Sequence, residues 1–290
     1  FLSSLFRWSS ILIFPALFIQ IYIVLFTISP EPEEYINQEN LIRIFDIAGA
    51  FLLLTSQISR KKYISYAVIF YFLLWIIMYS IYGRRGELAN IIIMLILMII
   101  FRLRSSFLKI GDRMKIYLAG LVIIIALLLY GNLFKSTFVF QRGFNKEAFE
   151  ESRGVIFEAF FNDFGTTSDW IFGRGINGTV LRSLHDGREA NFFENGFITI
   201  LLKGGLLYSI PFILILLRAS YLGLAKSNNE MVKVMGSLIL AHVMYMFTWG
   251  IPIFSTQFIF IWISVSACFT PEIRKYSNRE VYQAINDRFK

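Results

Sequence analysis

The sequence predicts an all-α membrane protein with about eight transmembrane helices and one large external loop. Hydrophobic residues make up 56% of the 290 residues and the mean hydropathy is +0.61, which is too apolar for a soluble domain. The apolar residues form long blocks and do not follow a helical or strand period. Lysine and arginine gather in alternate loops, as the positive-inside rule requires of cytoplasmic loops. Together these observations predict a polytopic membrane protein.

A spanning helix needs roughly 20 apolar residues to cross the hydrocarbon core. About eight segments approach this length, at residues 8–28, 41–58, 63–82, 88–101, 116–134, 197–217, 231–249 and 253–269. The second segment carries Arg43 and Asp46, whose i,i+3 spacing allows them to pair. The sixth is interrupted by Lys203-Gly204-Gly205, where we expect a kink or a close helix contact.

The formal net charge of +8 reflects membrane topology and not a nucleic-acid partner, because the basic clusters fall in every second loop. We therefore expect five spans within residues 1–134, an external loop at 135–191, three spans within 192–269 and a cytoplasmic tail at 270–290. Phe1 is not an initiator methionine and no signal peptide precedes the first span. We accordingly expect further spans on the N-terminal side.

The external loop is the candidate active site, because a loop this long in a compact membrane protein is usually functional. It is rich in both arginine and carboxylate side chains. Residues 148–161 have the pattern of an amphipathic helix that would hold Arg153 at headgroup depth. Gly173-Arg174-Gly175 predicts a turn with little steric bulk around the guanidinium.

Two further features flank the loop. Glu194-Asn195-Gly196 begins the sixth apolar segment, where a carboxylate is costly unless it pairs or faces water. Arg84 and Arg85 lie in a short outer turn, against the positive-inside rule. These two arginines either extend to lipid headgroups or face the large loop to hold an anionic ligand.

In their order and spacing, these motifs resemble the O-antigen polymerase and O-antigen ligase superfamily of bacterial envelope glycosyltransferases. The resemblance covers about residues 83–217 and rests on Arg85-Gly86, Ser152-Arg153-Gly154, Gly173-Arg174-Gly175, Glu194-Asn195-Gly196-Phe197 and Gly204-Gly205-Leu206-Leu207. It implies a glycosyltransferase C-like fold in the bacterial cytoplasmic membrane, with short helices in a periplasmic loop and an active site facing the periplasm. The ligase branch usually has histidine where this chain has Glu194, which favours a polymerase-like member.

The resemblance implies transfer of oligosaccharide repeat units from an undecaprenyl pyrophosphate carrier to an acceptor sugar, as in lipopolysaccharide biosynthesis, without a metal or other cofactor. Arg85, Arg153 and Arg174 would bind the pyrophosphate, and Glu194 would serve the acceptor hydroxyl. The implied partners are the lipid-linked oligosaccharide, an acceptor glycan and the bilayer. A chain-length regulator protein is a further candidate partner.

The residue types also suit this chemistry on their own. An arginine fork donates two hydrogen bonds to phosphate and stays protonated while negative charge grows on the leaving pyrophosphate. Partial desolvation would make Glu194 a better base toward a weakly nucleophilic hydroxyl. Arg84 and Asn195 are candidates for substrate binding, His185 is a second candidate base or binding group, and Trp170 could stack on a sugar ring.

Structural alternatives stay open for these residues. Arg153 could pair with Glu150 on a helix surface. Arg174 could be a solvated loop charge, and Glu194 could form an ion pair with Lys203 or with an arginine of the loop. The roles of these side chains therefore depend on what surrounds them in the folded chain.

The sequence predicts no metal site, because it contains no Asp-x-Asp pair, no Cys/His cluster and no His-Glu-x-x-His pattern. If His185 has no role it is expected to be solvated, and His242, in an apolar run, is expected to be a core residue with its hydrogen bonds satisfied. The second function class is a transporter or flippase of an anionic lipid-linked precursor, with the arginines as a binding funnel. The charges crowd one predicted face of the membrane, which favours the enzyme.

Overall fold

The computed structural model describes residues 1–27, 45–55, 62–81, 90–97, 100, 157–181, 189–190, 193, 195–247 and 255–287. Helices account for 85% of these residues, which confirms the all-α class. The described parts of the predicted spans are helical except at Met246, Phe247 and Ser255, which lie in turns or bends at helix ends. The predicted fifth span, 116–134, lies outside them.

Four helical segments come from the N-terminal part of the chain. They are α1 (Leu2–Tyr22, continued by a π-helical turn at Ile23–Thr27), α2 (Phe45–Thr55), α3 (Lys62–Ile81) and α4 (residues 90–97). Helices α1 and α3 pack against each other, and Tyr71, Trp75 and Tyr79 on α3 form a run of ring contacts in the buried core. The Tyr71 hydroxyl donates a long hydrogen bond of 3.5 Å to Asp46 on α2, whose predicted partner Arg43 lies outside the described residues.

The described part of the predicted loop at 135–191, called the polar segment below, folds into short elements. They are α5 (residues 157–163), α6 (Thr167–Phe172) and a two-stranded antiparallel ladder, β1 (Val180–Leu181) with β2 (Glu189–Ala190). Val180 pairs with Ala190 and Leu181 pairs with Glu189. Of the predicted amphipathic helix at 148–161, the described part, 157–161, is helical and continues to residue 163.

The C-terminal part is built around α7 (Gly196–Lys226), which packs against α8 (Glu230–Tyr245) and α9 (Thr256–Phe269). Asn229 and Ser255 cap α8 and α9 by accepting hydrogen bonds from Val232 N and Phe258 N. Gly236 on α8 leaves no room for a side chain beside α7, since its Cβ would lie 3.0 Å from the Ser220 carbonyl oxygen. Small residues therefore allow α7 and α8 to pack closely.

The predicted tail at 270–290 contains two helices, α10 (Pro271–Lys275) and α11 (Asn278–Asp287). Helix α11 packs on α1 and α8 and buries Val281 and Ile285. Glu280 accepts hydrogen bonds from the Ser277 backbone N–H and hydroxyl, which hold the pKa of this carboxyl below its usual range. This is a capping box, and Ser277-Asn278-Arg279-Glu280 is its sequence signal.

Within the described ranges, α1 and α7 are the two helices long and apolar enough to cross a membrane. Shorter apolar helices occur at Phe45–Thr55, Tyr63–Tyr79 and Thr256–Phe269. The outward faces of the long helices carry large apolar side chains, such as Phe18 on α1 and Leu207 on α7, which suit contact with lipid. The number of spans and the side on which the polar loop lies stay predictions.

Candidate functional site

The Gly173-Arg174-Gly175 turn binds to a break in α7. Gly205 has φ 60° and ψ −166°, so the regular helix stops there and resumes beyond it. The break frees the carbonyl oxygens of Leu202 and Lys203, which accept hydrogen bonds from Arg174 N at 2.7 Å and Gly175 N at 3.1 Å. The turn therefore replaces the missing backbone partners of the broken helix.

Close backbone contact explains the glycines at this junction. Gly173 has φ 71°, and a Cβ there would lie 2.6 Å from Gly205 N. A Cβ on Gly205 would collide with the backbone of Ile171 and Gly173. Both sequence expectations are confirmed, the turn with little bulk and the kink with close packing at Gly204-Gly205.

Lys203 fastens the turn from the helix side. Its ammonium donates to the carbonyl oxygens of Ile176 at 2.5 Å and Gly178 at 3.1 Å. Lys203 was also a candidate partner for Glu194, which lies outside the described residues. Lys203 is therefore part of the junction between the polar segment and α7.

The Arg174 guanidinium lies in a cage of oxygen atoms. Its Nη1 donates to Asp163 Oδ2 at 2.9 Å and to the Thr179 carbonyl oxygen at 2.8 Å. Its Nη2 donates to the Asp163 carbonyl oxygen at 2.6 Å and to Asp169 Oδ2 at 3.0 Å. Asp163 Oδ2 also accepts from Leu181 N at 3.0 Å, so one arginine joins α5, α6 and β1.

This cage neutralises the arginine. The side chains of Arg174, Asp163 and Asp169 are 23%, 28% and 16% exposed, so the ion pairs are partly shielded from water. The hydrogen bond from Arg174 lowers the pKa of the Asp169 carboxyl, and the bond to Asp169 raises the pKa of Arg174. Two carboxylates against one guanidinium leave a net negative cluster. Arg174 is therefore not a solvated loop charge, and a pyrophosphate would have to compete with both aspartates for it.

Beneath the cage lies an aromatic cluster that joins the polar segment to α7. It buries Phe160, Phe164, Val180, Phe193, Ile198 and Leu202. The Arg174 guanidinium sits 5.5 Å from the Phe164 ring centre. Trp170 stacks on Phe161 at 6.0 Å and meets Phe164 edge-on at 5.4 Å, so stacking on a sugar would have to use its other face.

Asn195 caps the first turn of α7. Its Oδ1 accepts from Phe197 N at 3.0 Å and Ile198 N at 3.2 Å, and its Nδ2 donates to the Phe247 carbonyl oxygen at 3.2 Å. Gly196 N also donates to the Met246 carbonyl oxygen at 2.8 Å. Asn195, which the sequence predicted to bind substrate, thus holds the start of α7 against the end of α8.

The structure describes three of the predicted site residues, and it shows how they are placed relative to one another. Arg174 and Trp170 belong to one packed unit, and Asn195 lies between Phe193 and Ile198 of the same buried cluster, seven positions before Leu202. That spacing corresponds to about 10 Å along the helix axis. The remaining candidates lie outside the described residues: Glu194, Arg153, Arg84, Arg85 and His185.

His242 differs in part from its expected character. It is buried, as expected, with 6% exposure. Its Nδ1 lies 3.4 Å from the Gln257 side-chain amide, but Nε2 has no hydrogen-bond partner in the described part of the chain. Within the described residues, therefore, only one of the two ring nitrogens of His242 has a partner. Among the described residues no three His, Cys, Asp or Glu side chains are grouped so that they could hold a metal ion.

Acid is expected to loosen the Arg174 cage. The pKa of Asp169 is below its unfolded value of about 3.9, so this carboxylate contributes stability that is fully present above that pH. The contribution is lost as the pH falls through the lower, folded value. Thermal unfolding of the wild type and Asp169→Asn between pH 7 and pH 3 should show a Tm difference that shrinks below about pH 4. A constant difference would contradict this assignment.

No family model, no curated protein and no solved structure matches this chain. What the chain does must therefore be argued from its own residues.

Proposed function

We propose that the protein is a membrane glycosyltransferase that polymerises oligosaccharide repeat units from an undecaprenyl pyrophosphate carrier. Transfer would take place on the outer face of the bacterial cytoplasmic membrane and would need no metal. The observation that carries the proposal is the joining of two sequence motifs by α7: Gly173-Arg174-Gly175 is bound to the helix break, and Asn195-Gly196 begins the same helix. An enzyme that aligns a large donor and an acceptor needs such a fixed platform.

The geometry favours a division of roles among the arginines. The Nη atoms of Arg174 donate hydrogen bonds to Asp163, Asp169 and Thr179, as expected of a residue that positions the turn. Of the three arginines that the resemblance assigns to the pyrophosphate, Arg85 and Arg153 are then left to bind it. The two aspartates offset the charge of Arg174, whereas the leaving pyrophosphate needs net positive charge, so the proposal assigns that charge to Arg85 and Arg153.

In the proposed reaction the acceptor hydroxyl oxygen attacks the anomeric carbon of the donor sugar from the side opposite the pyrophosphate. The bond from this carbon to the phosphate oxygen breaks, and undecaprenyl pyrophosphate leaves with the electron pair. The hydroxyl proton passes to the Glu194 carboxylate. General base catalysis of this kind contributes about 10²- to 10⁴-fold.

The test is polymer formation by the full chain in membranes supplied with a defined undecaprenyl pyrophosphate oligosaccharide. Glu194→Gln should insert and bind the carrier lipid as the wild type does, but glycan extension should fall at least about 100-fold. Glu158→Gln is the matched control, because Glu158 is an exposed carboxylate of the same polar segment. Normal chain growth in Glu194→Gln would rule out the base assignment.

The break in α7 supports transport as the second candidate function, because transporters often use discontinuous helices at their binding sites. Here, however, the freed carbonyls of Leu202 and Lys203 are already bonded to the Arg174 turn. Reconstituted vesicles distinguish the two functions. A transporter would move the lipid-linked precursor across the bilayer without extending its glycan, whereas the proposed enzyme would extend it.

A further inference from the structure

A group of cationic side chains lies at the C-terminal end of α7. Helix α7 ends at Lys226, and backbone carbonyls of α10 bind the turn that leads to α8. Asn228 N donates to the Arg274 carbonyl oxygen at 2.9 Å, and Asn229 Nδ2 donates to the Ile273 carbonyl oxygen at 2.9 Å. Backbone bonds therefore fix the place of Arg274 beside the end of α7.

The side chain of Arg274 uses little of its hydrogen-bonding capacity. Its Nη1 donates one long bond of 3.4 Å to the Lys226 carbonyl oxygen. Its Nε is buried and has no partner in the part of the chain that the structure describes. A buried donor without an acceptor destabilises the folded chain, so a ligand that draws the guanidinium into new hydrogen bonds removes this penalty. Arg174, in contrast, has an acceptor at each Nη atom.

More positive charge surrounds Arg274. Lys226 and Lys275 flank it and are exposed. Within the described ranges no ion pair joins any of these three cations to a carboxylate, and Glu280 is engaged by Ser277. Glu272 in the first turn of α10 and Glu230 at the start of α8 are the neighbouring carboxylates, so three cations stand against two carboxylates. The Nε of Arg274 still lacks an acceptor within the described residues.

Apolar surface adjoins the same corner. Phe269, the last residue of α9, lies five positions before Arg274, and its side chain is exposed. Tyr276, an aromatic residue of the type found at membrane interfaces, is also exposed just beyond α10. A ligand here meets cations on one side and apolar side chains on the other.

We infer that this corner binds the phosphate of an anionic phospholipid headgroup. Arg274 supplies the planar fork for the phosphate, Lys226 and Lys275 add charge, and the acyl chains lie along Phe269. Free phosphate has the same charge but cannot use the apolar surface. The inference rests on the membrane location of the chain and does not depend on glycosyl transfer.

The experiment titrates the purified full chain, held in phosphatidylcholine nanodiscs, with increasing fractions of phosphatidylglycerol and follows the Tm. The Tm of the wild type should rise, and Arg274→Gln should need about tenfold more phosphatidylglycerol for half of the effect, since one charge-assisted hydrogen bond is worth about tenfold in affinity. Arg279→Gln, an equal charge change on the exposed side of α11, should behave as the wild type. Inorganic phosphate added to pure phosphatidylcholine discs should give no rise.

Arg274→Lys keeps the charge but lacks the fork, so it tests the site even if Arg274→Gln does not fold. It should bind phosphatidylglycerol more weakly than the wild type. If the arginine variants lower the Tm but leave the phosphatidylglycerol titration unchanged, Arg274 only caps the end of α7 and the inference is wrong. A rise with inorganic phosphate alone would also overturn it. Polymer formation is not part of the readout, so the two proposals can fail separately.

Discussion

Gly205→Ala is expected to release the Gly173–Gly175 turn from α7. Its φ of 60° and ψ of −166° lie in a region that is essentially restricted to glycine, which costs about 1–3 kcal/mol for any other residue. The added Cβ would also collide with the backbone of Ile171, and backbone cannot move aside as a flexible side chain can. The total cost should be about 3 kcal/mol or more.

Hydrogen exchange of the full chain measures this directly, because Arg174 N and Gly175 N donate to carbonyls of α7. Their protection should fall in Gly205→Ala, with a lower Tm. Gly175→Ala is the control: its φ is also positive, at 76°, but no atom lies within 4 Å of the added Cβ. This change should cost only about 1–2 kcal/mol. Equal losses in the two variants would show that backbone strain, and not the close contact, explains the glycine.

Hydropathy predicted the helices more reliably than their ends. The sixth apolar segment was expected at 197–217, but α7 continues to Lys226. Hydropathy measures only the length of the apolar stretch. The helix itself continues through Arg218 and Tyr221, because its backbone hydrogen bonds do not depend on apolar side chains. No helix was assigned to the tail at 270–290, although its capping box was readable in the sequence.

The site was predictable as a turn but not as a network. Glycines on either side of Arg174 indicate a tight turn because only glycine accepts its backbone angles. Nothing in the sequence spacing shows that the guanidinium points back to Asp163 and Asp169, since side-chain direction in a loop depends on tertiary contacts. The capping role of Asn195 did have a signal, because it directly precedes a long apolar helix.

Arg174→Ala is expected to destabilise the polar segment by about 2–3 kcal/mol, because it leaves two carboxylates and two carbonyls without their donor. This is less than for a fully buried pair, since the side chains are 16–28% exposed. Lysine lacks the two Nη atoms with which Arg174 contacts Asp163 and Asp169 at the same time. The stability of Arg174→Lys should therefore be little higher than that of Arg174→Ala. Unfolding by denaturant should report both losses, whereas Arg218→Ala, at an exposed arginine of α7, should have little effect.

A triple variant separates the two roles that Arg174 could have. In Arg174→Gln combined with Asp163→Asn and Asp169→Asn, no charge is left unpaired, and neutral hydrogen bonds can replace the ion pairs at small cost. If Arg174 only positions the turn, this variant should recover both stability and polymer formation relative to Arg174→Gln alone. If Arg174 instead binds the pyrophosphate, stability should return while polymer formation stays low, because the charge needed in the transition state is still missing.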